Sequence, residues 1–76
     1  MSEELIRIAV LESLAEAQVL GAALEEQGIP HVMRSYHDSA LDGLFQSQQG
    51  WGLVEAVEEF RPAILAVLEE IRRSSP

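Results

Sequence analysis

Ser13-Leu14-Ala15-Glu16 and Gly28-Ile29-Pro30 bracket one helix between two runs of strand-like sequence, and this β-α-β order constrains the chain more than any other feature. At the start, the Ser13 hydroxyl is placed to accept from the Glu16 amide while the Glu16 carboxylate reaches back to the Ser13 amide, the reciprocal pairing of a capping box. Ala, Leu, Glu and Gln, all strong helix formers, continue to Gln27, with Ala17, Leu20, Gly21 and Leu24 on the inward stripe. Gly28 then takes the C′ position, where a left-handed residue ends the helix. Ile29 falls at C″ and Leu24 at C3, the two residues that a Schellman motif brings into contact. Pro30 forbids further helix.

The run Leu5 to Leu11 is apolar and partly β-branched, broken once by Arg7. Strict alternation puts Ile6, Ile8 and Val10 on one face, and Arg7 and Ala9 on the other. After Pro30, His31 to Tyr36 is the second strand. Gly50 to Val57 is the third, with Gly52, Val54 and Ala56 on one face and Trp51, Leu53, Glu55 and Val57 on the other. Glu58-Glu59 opens a second helix, with Pro62 tolerable in its first turn. Phe60, Ile64, Val67, Leu68 and Ile71 form its apolar stripe, and Arg72-Arg73 suit the negative end of its dipole. The fold class expected is α/β (α+β): a ferredoxin-like plait lacking the fourth strand, β-α-β-β-α, with a three-stranded sheet of order 1-3-2 and two helices on one face. On this reading the first and third strands are parallel, and the second is antiparallel to the third.

At 76 residues the chain holds one domain, with an ordered core expected over about 4–73. So small a core leaves a thin margin of stability. Cysteine is absent, so disulfides, Cys-based zinc sites and thiol chemistry are excluded, and association becomes the expected stabiliser. Thirteen acidic residues stand against five basic ones, all arginine, so the surface repels nucleic-acid phosphate and anionic lipid. No stretch approaches the ~20 apolar residues of a membrane span. The opening Met1-Ser2-Glu3-Glu4 is acidic where a signal peptide is basic, which gives a cytoplasmic expectation.

The opening strand Ile6-Arg7-Ile8-Ala9-Val10 is followed by Ala15-Glu16-Ala17-Gln18-Val19-Leu20, then Leu24-Glu25-Glu26-Gln27-Gly28-Ile29-Pro30. Gly50-Trp51-Gly52, a strand ending Val57-Glu58-Glu59 and a helix with Ala63 and Leu65 complete the pattern. From about Leu5 to Ile71 it resembles the small bacterial family of prokaryotic signal-transducing proteins, domains of unknown function. These are fold-shaping motifs, and the Leu-Glu-x-x-Gly-Ile turn is the most specific of them. The resemblance implies a fold similar to that of GlnB-like nitrogen-regulatory proteins, in which the loop between the second and third strands reaches partner proteins. Nucleotide binding is a fold-level analogy only. The chain has no Gly-rich phosphate cradle and no lysine to meet a phosphate.

His37-Asp38-Ser39 holds the three residue types of a hydrolase triad, but adjacent residues cannot adopt triad geometry, so no enzyme is expected. His31, His37, Asp38 and Asp42 offer ligand types without ligand spacing, which leaves a metal-binding protein using His31 and His37 as an alternative. Neither a cofactor nor a resident metal is expected. The Glu25-Glu26, Glu58-Glu59 and Glu69-Glu70 pairs read as solvated helix faces and ends. His37 to Gln49 is long for a connection in so small a domain. Leu41, Leu44 and Phe45 within it either fold onto the sheet or are presented to a partner. Trp51, between two glycines, either packs on the domain or contacts a ligand. The function expected is a small regulatory or protein-interaction module acting as a homodimer. Its candidate interaction residues are Leu41, Leu44, Phe45, Trp51 and Leu53, and a protein partner is expected through the 38–49 loop. A small-metabolite or nucleotide sensor is the other alternative.

Overall fold

The computed structural model describes residues 4–36 and 50–74. The expected connection, with His37, Asp38, Ser39, Leu41, Asp42, Leu44 and Phe45, lies outside the described residues. The elements run β1 (Leu5–Leu11), α1 (Leu14–Glu26), β2 (Val32–Ser35), β3 (Gly52–Val57), a 3₁₀ turn (Glu58–Phe60) and α2 (Arg61–Ser74). The sheet order is β1-β3-β2. This is the β-α-β-β-α plait without its fourth strand.

One direction differs from expectation. β1 is antiparallel to β3, and so is β2, which makes β1 and β2 the parallel pair. The helical crossover returns the chain parallel to β1 at the next-but-one position, and the strand that slots between must run the other way.

Both ends of α1 follow from local chemistry. The Ser13 hydroxyl accepts from the Glu16 N–H at 3.1 Å. The Glu16 carboxylate, however, takes the Glu12 amide at 2.8 Å rather than that of Ser13. At the other end the Gly28 N–H donates to the Glu25 carbonyl at 3.1 Å, and the Ile29 N–H to the Leu24 carbonyl at 2.9 Å. Gly28 has φ +71°, so the expected Schellman end is complete. The second helix differs in its first turn: Glu58–Phe60 is 3₁₀, held by Arg61 on both Glu58 oxygens at 3.1 and 3.2 Å, and α2 begins only at Arg61.

Ile8, Leu11, Ala17, Leu20, Leu24, Val54, Ala56, Ile64 and Leu68 form the core between the helices and one sheet face. Gly52, Val54 and Ala56 turn toward the helices, as alternation requires. In β1 the alternation breaks. Arg7 stands opposite Glu55 and Ala9 opposite Val54, so Ile8 is an extra residue, a β-bulge. Beyond it the faces exchange: Ala9 and Leu11 join the core side, while Val10 turns out and is 37% exposed. The expected face of Ile6, Ile8 and Val10 is thus corrected to Ile6, Ile8, Ala9 and Leu11.

Candidate interaction surfaces

Both helices pack on the same side of the sheet, which leaves its other face to three rows of side chains. Register places Leu5 beside Val57, Arg7 beside Glu55 and Val32, and Val10 beside Leu53 and Arg34. Leu5 is 43% exposed, and Val32, Leu53 and Val57 are half-buried. A charged strip crosses the apolar positions: Arg34 Nε donates to Glu55 Oε1 at 2.6 Å, and Arg7 flanks Glu55 on the other strand. Leu53 lies on this face with Glu55 and Val57. Ala9 and Trp51, expected to share faces with Arg7 and Leu53 respectively, do not.

Trp51 sits just before β3, where Gly50 turns the chain with φ +94°. Its N–H donates to the Leu11 carbonyl at 2.8 Å and its carbonyl accepts from the Tyr36 N–H at 3.0 Å, so its backbone is shared between the two outer strands. This twist at the strand entry carries the indole to the helix side, where it packs against the core. With Met33 of β2 it faces Leu14, Ala17, Gly21 and Ala22 of α1 across a groove of about 440 Å³, with Gln18 and Glu25 on its walls. A Cβ at Gly21 would stand 3.6 Å from Met33 Cε, in ordinary contact with it.

Arg72, near the end of α2, is the residue whose part sequence reasoning missed. Its Nε and Nη2 hold the two Glu16 oxygens at 2.8 and 3.0 Å, and Nη2 also donates to the Val10 carbonyl at 2.9 Å. The Leu11 carbonyl is taken from the β3 side, so alternation turns that of Val10 to the outer edge of β1. Arg72 therefore occupies part of the outer edge of β1, which would otherwise offer that carbonyl for pairing. The Arg72 hydrogen bonds, with a smaller contribution from the Glu12 amide, hold the Glu16 carboxyl below its ordinary value; partial burial opposes them. The same pairing raises Arg72.

The chain matches no family model, no curated protein and no solved structure.

The Nδ1 of His31 lies 2.9 Å from the Ile29 carbonyl, which commits that nitrogen as a donor. Among the described residues no three or more His, Cys, Asp or Glu side chains gather where a metal ion would sit. No helix among them is long and apolar enough to cross a membrane.

Proposed function

We propose that this chain is a small regulatory or protein-interaction module that works as a homodimer, two copies meeting through the open face of the sheet. The observation that carries this reading is the composition of that face. Leu5 and Val10, both more than a third exposed, lie with half-buried Val32, Leu53 and Val57 on the side opposite the core. Exposed apolar groups gathered on one surface favour association. Charge points the same way: Arg7, Arg34 and Glu55 give the face two arginines against one glutamate, on a chain whose net charge is −8. Two copies approach here without setting acidic surface against acidic surface. A two-fold axis uses the same patch on each subunit. The β1 edge is the weaker site, because Ile8 bulges and Arg72 holds the Val10 carbonyl.

The Leu24 to Pro30 run, the most specific part of the resemblance to the prokaryotic signal-transducing family, forms the helix end described above. It supports a shared fold and leaves the signal unnamed.

Light scattering after size exclusion at micromolar concentration tests the proposal. A mass of twice 8.4 kDa is expected for the native chain, and one of 8.4 kDa for a folded Leu53→Glu variant. A native monomer overturns it.

A further inference from the structure

Four of the five arginines are ion-paired within the chain: Arg34 with Glu55, Arg61 with Glu58, Arg72 with Glu16 and Arg73 with Glu69. Among the described residues Arg7 has no such partner, although the chain carries thirteen acidic side chains. Arg7 stands exposed on the open face, in the central row of the sheet, with Glu55 of β3 as its cross-strand neighbour. Side chains of a sheet stand roughly perpendicular to it, so an arginine projects past the shorter glutamate beside it. Arg34 donates to Glu55 Oε1 at 2.6 Å, and no described residue donates to Oε2. A cation without a counter-charge and a carboxylate oxygen without a donor thus share one row, between the apolar positions Leu5 and Val57 on one side and Val10 and Leu53 on the other.

We infer that Arg7 sets how the two copies proposed above meet, by pairing with Glu55 of the second copy; the inference rests on that dimer reading. Two sheets stacked face to face, about 10 Å apart, share a two-fold axis that lies between them and parallel to both. Seen through the stack, the axis reflects the side-chain pattern of one copy onto the other. An axis along β3 would set Glu55 on Glu55 and Val10 on Arg34. One across the strands through the central row would set Arg7 on Arg7 and Glu55 on Glu55. One between β3 and β2 would leave Arg7 outside the contact. An axis midway between β1 and β3, parallel to them, instead sets Leu5 on Val57, Arg7 on Glu55 and Val10 on Leu53, each of them twice. Apolar then meets apolar on both sides of a row in which opposite charges meet, and like charges are kept apart. Arg34, 60% exposed on β2, stays at the rim with its bond to Glu55 Oε1.

Charge exchange between full-length chains tests this, with dimer dissociation read by light scattering on dilution. Arg7→Glu should weaken the dimer at least about tenfold, and so should Glu55→Arg, because each alone sets like charges together at both symmetric contacts. An equimolar mixture of the two restores opposite charges at both contacts and should give a heterodimer of twice 8.4 kDa. Should Glu55→Arg fail to fold, Arg73→Glu decides, since it changes the net charge equally from α2, across the sheet from the open face. Arg7→Glu must then weaken the dimer about tenfold more than Arg73→Glu does. Failure of the heterodimer to form, or equal dimers from Arg7→Glu and the native chain, overturns the inference; the dimer at this face still stands if Leu53→Glu is monomeric. A native monomer, or a Leu53→Glu dimer as tight as the native one, overturns that reading and this inference with it.

Discussion

Arg72 holds both carboxylate oxygens of Glu16 across 56 residues of sequence, at 2.8 and 3.0 Å, and with the same guanidinium takes the Val10 carbonyl. One side chain thereby ties the end of α2 to the start of α1 and to the last turn of β1's outer edge. Glu16 itself is only 11% exposed and also accepts the Glu12 amide, so removing Arg72 strands a carboxylate that has little access to water. Arg72→Ala should destabilise the fold by about 1 kcal/mol, a figure held low because Arg72 is partly solvated. Arg72→Lys should recover only part of it, since an ammonium cannot make the forked pair. Urea midpoints decide, and an unchanged midpoint for Arg72→Ala would remove the clamp from the account of stability.

The same pair sets a pH dependence. Glu16 has a folded value below its ordinary 4.5, so its contribution is complete above that value and is lost as pH falls through the lower folded one. The stability gap between the native chain and Glu16→Gln should therefore narrow on acidification below pH 4.5 and hold constant above neutrality. Paired urea melts across that range measure it. A gap that does not change with pH would mean that the carboxylate charge is not what Arg72 stabilises.

Gly28 tests backbone conformation free of crowding. Its φ is +71°, and a Cβ there would meet nothing within 4 Å, so any cost of a side chain is conformational. Gly28→Val should lose more than ~1 kcal/mol, because a β-branched residue is strained in the left-handed region, while Gly28→Asn should lose far less. Equal midpoints for the two variants would count against the Schellman end.

Alanine at two other glycines should act in opposite directions. At Gly21 the new methyl makes ordinary contact with Met33 Cε at 3.6 Å, and the helix gains about 0.5–1 kcal/mol. At Gly52 the methyl would land within the Arg34 carbonyl, a backbone atom that cannot swing away. Gly52→Ala should therefore cost about 1–3 kcal/mol as β2 and β3 are pushed apart. Thermal melts with the same sign for both would contradict this packing.

The bulge makes its own prediction at adjacent positions. Val10 is 37% exposed and Leu11 is fully buried, the reverse of what unbroken alternation from Ile6 and Ile8 requires. Val10→Thr should cost far less than the same change at the next position, because it removes no side chain from the core. Leu11→Thr should cost about 2–5 kcal/mol through lost packing and a buried hydroxyl. The opposite ranking in chemical denaturation would mean a regular β1.

What the sequence determined by itself is the set of features written within a few residues of one another. Ser13 caps α1, Gly28 and Ile29 close it, and Val54, Ala56, Ile64 and Leu68 fall on buried faces, because caps and periodicity depend on spacing along the chain. The strand order 1-3-2 followed from the crossover rule, which is also sequential. What only the tertiary structure decided involves partners far apart in the chain. The bulge at Ile8, which sends Val10 outward and Leu11 inward, arises from the pairing of β1 with β3. Trp51 goes to the helix side because its backbone is shared between Leu11 and Tyr36. Glu16 and Arg72 meet only once both helices lie on one face of the sheet, and no spacing along the chain encodes that meeting.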